Sequence, residues 1–321
     1  MTLPSIAPLV RREFMIPSDT SGIELYVRNK RRADITHFGG ERTLLFVSGS
    51  TYPASTTFDL ALDGTSWMDV LAQAGYNTYL VDVRGYGRST RPPEMAQPAA
   101  DHPPIVRTPV AVADVATAAA FVREQANVEA INLIGWSWGA ALMASYTIAH
   151  EANVLKLVLI APQWLRTTPS LADTGGPLGA YRTVARSAAK ARWLNGVPEA
   201  ARDALLPPAW FEAWANATFG DNPVAEILAP NGTVQDSREY WAEGRPLYEP
   251  SQIRVPVLIV HADWDRDCPQ EMSAAVFSNL TSAPYRRWVE IGEGTHCVLM
   301  EKHRWQVFSA VQTFLDERAP H

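Results

Sequence analysis

A serine between two glycines is the first group in the chain that could do chemistry. Ser137 stands at the centre of residues 135–139, Gly-Trp-Ser-Trp-Gly, which follow the apolar run 131–134 and precede small and apolar residues of helical character. A strand, a tight turn and a helix in this order hold a serine in a strained corner with its hydroxyl exposed. Glycines flank it because such a turn crowds the backbone on both sides. The pattern predicts a nucleophilic serine; the alternative is an ordinary strand-to-helix turn with a solvated serine.

A serine nucleophile needs partners from elsewhere in the chain. A histidine must accept its proton, and a third group must fix the tautomer of the histidine and stabilise its charge. In an open parallel sheet these groups follow the carboxyl ends of strands. Two later segments meet this requirement, each directly after a predicted strand: 262–269, Ala-Asp-Trp-Asp-Arg-Asp-Cys-Pro, and 292–296, Gly-Glu-Gly-Thr-His. We therefore expect His296 as the base and one of Asp263, Asp265 and Asp267 as the acid.

Alternating strands and helices surround these loops and must position them. The apolar patterns predict strands over 12–16, 23–28, 43–47, 77–83, 131–134, 155–161, 255–261 and 287–291, and helices over 66–75, 109–125, 138–150, 270–280 and 302–318. The first two strands form an edge hairpin with one polar face. Uninterrupted apolar runs such as 43–47 indicate central strands covered on both faces. This alternation predicts an α/β fold with a largely parallel sheet.

The alternation stops between residues 163 and 251. Only helical patterns are found there, and apolar side chains recur at helical spacing at Leu178, Tyr181, Val184, Ala185, Ala188 and Ala191. We therefore predict a core formed by residues 1–162 and 252–321, with a helical cap (lid) inserted at 163–251.

Taken together, the chain resembles an α/β-hydrolase of the serine-nucleophile type with a helical cap domain. Residues 135–139 match the nucleophile elbow of that family, and the order Ser137, acid, His296 is the family's chain order. Residues 82–89, Asp-Val-Arg-Gly-Tyr-Gly-Arg-Ser, resemble a loop common in its cap-bearing branch. The resemblance covers nearly the whole chain and implies the α/β-hydrolase fold, a mostly parallel central sheet flanked by helices.

The resemblance also narrows the choice of acid. The family pattern is a small residue, two positions, the aspartate, and three positions before a proline. Ala262, Asp265 and Pro269 fit this spacing. Asp265 is therefore favoured, and Asp263 and Asp267 are expected to be loop carboxylates that accept backbone hydrogen bonds.

An oxyanion hole requires two backbone N–H groups aimed at the developing negative charge. One is expected from Trp138, directly after the nucleophile. The other is expected from the loop after residues 43–47, where the His-Gly pair usual in the family is replaced by Ser48-Gly49. Ser50 is then the expected donor, with Thr51 as the second choice.

Aromatic residues near these loops predict a substrate pocket. Trp136 adjoins the nucleophile, Trp164 follows a strand end, and Trp210 and Trp214 lie in the predicted cap. Thr51 and Tyr52 could add side-chain hydrogen bonds to a substrate. Core packing is the alternative for every one of these aromatics. Three further cations, Arg84, Arg166 and Arg266, are expected to form structural ion pairs rather than to bind substrate.

The composition excludes several other classes of protein. At 47% hydrophobic and 19% charged residues, the 321-residue chain should bury a sizeable core. The net charge is −6 with both signs interspersed, so no basic block indicates nucleic acid. No apolar stretch reaches the roughly 18 to 20 residues of a membrane helix. Residues 1–12 place arginines after apolar residues, the wrong order for a secretory signal. We expect a cytoplasmic protein that binds neither membrane nor nucleic acid; the oligomeric state stays open.

Cysteine and histidine usage indicates neither a metal nor another cofactor. The two cysteines, Cys268 and Cys297, form no disulfide framework and no metal-type spacing, and the seven histidines are scattered. The cysteines follow the acid loop and the base, and buried thiols are favoured over a redox pair.

The resemblance implies hydrolysis of a small molecule through an acyl-enzyme. A carboxylic ester of a medium-sized apolar or aromatic substrate is the leading class. Amide or lactone hydrolysis, and cleavage of a carbon–carbon bond in a diketone-like acid, stay open because relatives with similar triads perform each reaction. Dehalogenase and epoxide hydrolase activities are disfavoured because both would need aspartate at position 137. A non-catalytic ligand receptor on the same fold is a more distant alternative.

Overall fold

The computed structural model describes residues 7–317. Residues 1–6, half of the segment 1–12 whose residue order differs from that of a secretory signal, lie outside this range. So do residues 318–321, including the end of the predicted closing helix and of the predicted core. Within the described range, no helix is both long enough and apolar enough to cross a membrane.

The strands of the described chain form one large sheet and one small one. They are β1 (Leu9–Pro17), β2 (Glu24–Arg32), β3 (Thr43–Val47), β4 (Asn77–Val81), β5 (Ile131–Trp136), β6 (Val154–Ile160), β7 (Tyr181–Ala185), β8 (Glu226–Pro230), β9 (Val257–Ala262) and β10 (Arg286–Ile291). The large sheet has the order β1-β2-β4-β3-β5-β6-β9-β10. Strand β2 is antiparallel to both of its neighbours, β1 and β4. From β4 to β10 every pair of neighbouring strands is parallel.

Helices flank this sheet and fill the connections. They are α1 (Ala54–Phe58), α2 (Trp67–Gln73), α3 (Thr108–Ala126), α4 (Trp138–Ala149), α5 (Arg186–Trp193), α6 (Arg202–Leu205), α7 (Pro208–Phe219), α8 (Gly232–Glu239), α9 (Gln270–Asn279) and α10 (Arg304–Asp316). Side chains of β3, β4, β5 and β9 are all buried, as expected for strands covered on both faces. The predicted α/β-hydrolase fold is confirmed.

Local sequence signals explain where the flanking helices begin and end. Ser66 caps α2: its hydroxyl accepts a hydrogen bond from the Asp69 N–H, and the Asp69 side chain accepts one from the Ser66 N–H. Pro109 lies in the first turn of α3, where its missing N–H costs nothing. Asn127 ends the same helix in the left-handed conformation. These caps place both helices close to the positions that the sequence predicts.

Between β6 and β9 the chain leaves the large sheet, and we term residues 163–251 the insertion. Helices α5 to α8 lie here, together with β7 and β8, which pair only with each other in an antiparallel ribbon. The prediction of a helix through Tyr181, Val184 and Ala185 is wrong, because residues 181–185 form β7. Tyr, Thr and Val favour extended backbone, and this composition, together with pairing to β8, outweighs the helical spacing of Tyr181, Val184 and Ala185. Helix α5 begins only at Arg186.

Candidate active site

Ser137 occupies the sharp corner between β5 and α4. Its backbone has φ 59° and ψ −120°, a conformation that a non-glycine residue rarely adopts. Hydrogen bonds hold it there: the Ser137 N–H donates to the Ile160 carbonyl at 2.8 Å, and the Ser137 carbonyl accepts from the Ala140 N–H at 3.0 Å. The side chain therefore leaves the sheet in one fixed direction.

The two glycines of the corner are required by close backbone contacts. A Cβ on Gly135 would stand 2.5 Å from the Gly139 carbonyl oxygen, and a Cβ on Gly139 would stand 2.3 Å from the Val47 carbonyl oxygen. Both distances are far below a normal contact. Any side chain at either position would force strand β5, helix α4 or strand β3 to move.

Three side chains from separate strand ends form a hydrogen-bonded chain at this corner. Ser137 follows β5, Asp265 follows β9, and His296 follows β10. The Ser137 Oγ lies 2.9 Å from His296 Nε2, and His296 Nδ1 lies 2.8 Å from an Asp265 carboxylate oxygen. In the neutral tautomer that donates from Nδ1 to Asp265, Nε2 is free to accept the proton of the serine.

The surroundings of His296 favour its charged form despite its burial. Burial lowers its pKa, but the carboxylates of Asp265 and Asp267 outweigh this effect, so the pKa is raised above 6.5. Asp265 itself is buried, and its other oxygen accepts the N–H groups of Asp267 and Cys268 at 2.8 Å. Trp136 fixes the base loop by donating from Nε1 to the His296 carbonyl at 2.8 Å.

Of the three candidate aspartates, only Asp265 contacts the histidine. Asp263 accepts a 3.3 Å hydrogen bond from the Gly294 N–H. Asp267 instead forms a salt bridge with Arg192 of α5. Arg192 Nε lies 3.0 and 3.1 Å from the two carboxylate oxygens. Burial raises the pKa of Asp267, but the charge of Arg192 more than offsets this and leaves the pKa lowered.

The expected oxyanion donors come from two separate segments near the serine. Trp138 begins α4, and Ser50 lines the same cavity as Ser137. Within residues 7–317, neither backbone N–H has a protein acceptor. The loop of Ser50 approaches the nucleophile closely, because a Cβ on Gly49 would stand 2.9 Å from the Ser137 Cβ. The arrangement can present two N–H groups to a carbonyl oxygen attacked by Ser137.

The loop 48–53 is supported by the segment that resembles the family's Asp-x-Arg-Gly-x-Gly-x-Ser loop. Asp82 accepts hydrogen bonds from the Ala54 N–H at 2.7 Å and the Arg88 N–H at 3.0 Å. Burial raises the pKa of Asp82 to about 6. Ser48, which stands where the family usually has histidine, is hydrogen-bonded through its hydroxyl to the Thr57 hydroxyl at 3.0 Å.

A cavity opens directly beside Ser137, between the strand ends and α5. Its lining consists of Gly49, Ser50, Tyr52, Trp136, Ser137, Ala189, Arg192, Trp193, Asp267, His296 and Cys297. Two of the predicted pocket residues, Tyr52 and Trp136, are among them. Ala189, Arg192 and Trp193 were missed, because no pattern in the insertion marks which face of a short helix meets the core.

The other predicted pocket residues lie outside this lining because each packs against a different partner. Trp214 is fully buried behind Tyr52, with ring centroids 4.9 Å apart. Trp164 Nε1 donates to the Tyr248 carbonyl at 3.1 Å. Trp210 stacks under the Arg304 guanidinium, 4.1 Å from ring centroid to Cζ. Thr51 accepts a 2.6 Å hydrogen bond from Arg182.

The remaining cations and thiols take structural positions. Arg84 forms salt bridges with Asp114 and Asp19. Arg166 donates to the Thr168 carbonyl at 2.6 Å. Arg266 lies against Gly196, where a Cβ would stand 2.8 Å from its Nε. Both cysteines are free and buried, and burial raises the pKa of each thiol.

A second carboxylate joins the base loop to the insertion. Glu301 accepts hydrogen bonds from Trp193 Nε1 at 2.8 Å and from the Thr295 N–H at 3.0 Å, and also from the Thr295 hydroxyl. Burial raises its pKa to about 7. In the described part of the chain, no cluster of His, Cys, Asp or Glu side chains is suited to holding a metal ion.

Comparison with known proteins supports the fold described above. The family model described as alpha/beta hydrolase fold matches residues 61–303, more than half of the chain. An esterase from Exiguobacterium antarcticum is 18% identical with a TM-score of 0.59, over 94% of this chain and 99% of its own. A serine hydrolase involved in carbazole degradation is 15% identical with a TM-score of 0.64, over 97% and 100%. An esterase from Thermogutta terrifontis is 15% identical with a TM-score of 0.59, over 95% and 98%. The chain therefore belongs to the alpha/beta hydrolase family.

Proposed function

We propose that this protein is a serine hydrolase that cleaves a carboxylic ester through an acyl-enzyme. The observation that carries the proposal is the continuous hydrogen-bonded chain Ser137–His296–Asp265, with distances of 2.9 and 2.8 Å, at the edge of one cavity. Ser137 is the nucleophile, His296 the general base and acid, and Asp265 the group that orients His296.

The reaction follows from these positions. Ser137 Oγ attacks the ester carbonyl while His296 Nε2 takes the hydroxyl proton. The backbone N–H groups of Trp138 and Ser50 stabilise the oxyanion. Collapse of the tetrahedral intermediate expels the alcohol, which receives the proton from His296. A water molecule then attacks the acyl-enzyme with His296 again as base, and the acid is released as Ser137 regains its proton.

The lining supports an uncharged substrate of medium size with apolar or aromatic groups. Tyr52, Trp136 and Trp193 supply aromatic surface. Arg192 is the cation of the lining, and its charge is already paired with Asp267. A substrate carboxylate would have to compete with that pair, so hydrolysis of an ester, amide or lactone fits this cavity better than cleavage of a diketone-like acid.

The insertion 163–251 then acts as a cap over a core formed by residues 1–162 and 252–321. Support comes from α5, which contributes Ala189, Arg192 and Trp193 to the lining beside the strand ends. The cap closes one side of the cavity, and the core supplies the reacting groups. Exclusion of bulk water by such a wall strengthens the electrostatic interactions inside the site.

The test is turnover of p-nitrophenyl esters of rising acyl length, beside aryl amides and lactones, with labelling by a fluorophosphonate probe. Ser137→Ala should lower kcat by about 10⁴-fold or more and abolish labelling. Ser145→Ala is the matched control, because Ser145 lies on α4 and its hydroxyl, among residues 7–317, bonds only the Ala141 carbonyl, at 2.9 Å. Unchanged turnover in Ser137→Ala would exclude the proposal, and an unlabelled, inactive wild type would favour a ligand receptor.

A further inference from the structure

Thr51 has an unusual backbone conformation between two residues that line the cavity. Its φ is 96°, in the region that L residues avoid and that is least suited to a β-branched side chain. Its neighbours Ser50 and Tyr52 both line the cavity beside Ser137. Such a conformation persists only where surrounding contacts hold it, and these outliers concentrate at functional sites. The contact that holds Thr51 is therefore of interest.

That contact comes from the insertion. Arg182, on β7, donates from Nη2 to the Thr51 Oγ1 at 2.6 Å and from Nη1 to the Pro230 carbonyl at 2.8 Å. A guanidinium is planar and its donors point in fixed directions, so two bonds to two separate segments determine its position. Arg182 thus connects the loop of the expected oxyanion donor with the end of β8.

The end of β8 is itself fixed against the core. The Gly232 N–H donates to the Ile105 carbonyl at 2.8 Å. A Cβ on Gly85 would stand 2.7 Å from Pro230 Cγ, so that contact is also close. The insertion hairpin is therefore held against the core at Pro230 and Gly232, and this gives Arg182 a fixed support from which to hold Thr51.

The charge of Arg182 is not compensated by a carboxylate. Among residues 7–317 it forms no salt bridge, in contrast to Arg107, Arg186 and Arg192. Arg182 is half-buried. Burial, the largest effect, lowers the pKa of Arg182, and the charge of Arg192 lowers it further. Even partial burial of a cation without a counterion costs stability. The hydrogen bonds to Thr51 and Pro230 therefore explain the position of Arg182.

We propose that Arg182 is a positioning residue for the oxyanion hole: by holding Thr51 in its left-handed conformation, it sets the path of the chain from Ser50 to Tyr52. The inference rests on the proposed function, because it deepens the role of the same site. In consequence the insertion does more than line the cavity. It supplies part of the support for the groups that stabilise the oxyanion.

The test compares two variants that break the same contact from opposite ends. Arg182→Met and Thr51→Val each remove the hydrogen bond, and each should lower kcat by about 10- to 100-fold with little change in KM, because a displacement of this loop affects the transition state most. Arg238→Met is the matched control: Arg238 is an insertion arginine that pairs with Asp173, also in the insertion. It should keep the wild-type kcat. Thermal unfolding of every variant identifies losses caused by misfolding.

A rescue variant separates geometry from charge. Glycine adopts a φ of 96° without strain, so Arg182→Met/Thr51→Gly should recover most of the kcat that Arg182→Met loses. A wild-type kcat in Arg182→Met overturns the inference, as does a double variant that stays as slow as Arg182→Met. Failure of the proposed function is recognised separately, because the wild type itself would then show neither turnover nor labelling at Ser137.

Discussion

The two walls of the cavity are built in different ways. On the core side, Ser137, Asp265 and His296 each follow a strand of the parallel sheet, and the β9–β10 register sets Ala262 beside Ile291, just ahead of the acid and base loops. On the insertion side, Arg192 and Trp193 end a short helix. They are tied to the core by side-chain contacts with Asp267 and Glu301.

This difference indicates how each wall responds to change. Sheet hydrogen bonds fix the strands that carry the core groups, so changes to those groups should act on the chemical step. Arg192 and Trp193 are joined to the core through charged and polar side chains, and the strength of such contacts depends on partner and pH. Changes to these contacts should act on substrate binding, stability and pH dependence, whereas a change at Arg182 should act on the chemical step through Thr51.

The largest expected effect tests which aspartate of the acid loop acts with the core wall. Asp265→Asn keeps the shape of the side chain. An amide N–H that faces His296 would favour the wrong histidine tautomer, with the proton on Nε2, so kcat should fall by about 10⁴-fold. Asp263→Asn, the matched control two residues away, should stay within about threefold of wild type because surface carboxylates contribute little. Steady-state kinetics on a p-nitrophenyl ester measures both. Equal losses in the two variants would contradict the assignment of Asp265.

A smaller effect is expected where the core backbone passes closest to the nucleophile. Gly49→Ala would place a Cβ 2.9 Å from the Ser137 Cβ and 3.3 Å from its Oγ, so the loop must shift. A displacement of this size should lower kcat by about 10²-fold. Gly292→Ala is the control, since no described residue other than its chain neighbours lies within 4 Å of the position that its new methyl group would take. If both variants turn over like wild type, the loop is not held at the nucleophile.

Glu301, which joins the two walls, should make the free energy of unfolding depend on pH. Its pKa is raised from 4.5 to about 7, so between these values the folded state binds more protons than the unfolded state. The free energy of unfolding therefore falls as pH rises through this window, by at most about 3.5 kcal/mol at roughly 1.4 kcal/mol per pKa unit.

Glu301→Gln should flatten that dependence, as measured by denaturant unfolding at about pH 4.5, 6 and 8, which spans the window. Asp82, with a pKa of about 6, acts in the same direction in wild type and variant alike. The difference between the two proteins therefore isolates Glu301. Identical pH profiles for both would show that this carboxylate does not titrate in the window.

The smallest expected effect concerns the pH profile of catalysis. His296 acts as a base only when neutral, and its pKa is raised above 6.5, so kcat/KM should rise with pH through a midpoint above 6.5. Asp267 contributes to that raised pKa although it pairs with Arg192. Asp267→Asn should therefore move the midpoint to lower pH while the alkaline plateau stays measurable. An unchanged midpoint would show that Asp267 does not affect the pKa of His296.

Local sequence patterns predicted the proposed reacting groups of the core wall. The spacing Gly-x-Ser-x-Gly after an apolar run indicates a strained corner because only glycine tolerates the contacts on either side of Ser137. The spacing from Ala262 to Pro269 favoured Asp265 over two neighbouring aspartates, and the structure brings Asp265 to His296. The apolar residues of β5 and β9 and the mixed pattern of β10 each predict a strand, and parallel strands place their carboxyl ends at one edge.

Only the tertiary structure decided the insertion wall. Arg192 meets Asp267 across 75 positions of sequence, and Arg182 meets Thr51 across 131. Residues 181–185 carry spacing that fits a helix and composition that fits a strand, and pairing with β8 selected the strand. Three tryptophans predicted for the pocket instead pack elsewhere: Trp164, Trp210 and Trp214. The sequence was enough to predict the proposed reacting groups because each follows its own strand. Contacts between distant segments determined which residues surround those groups, and only the tertiary structure shows these contacts.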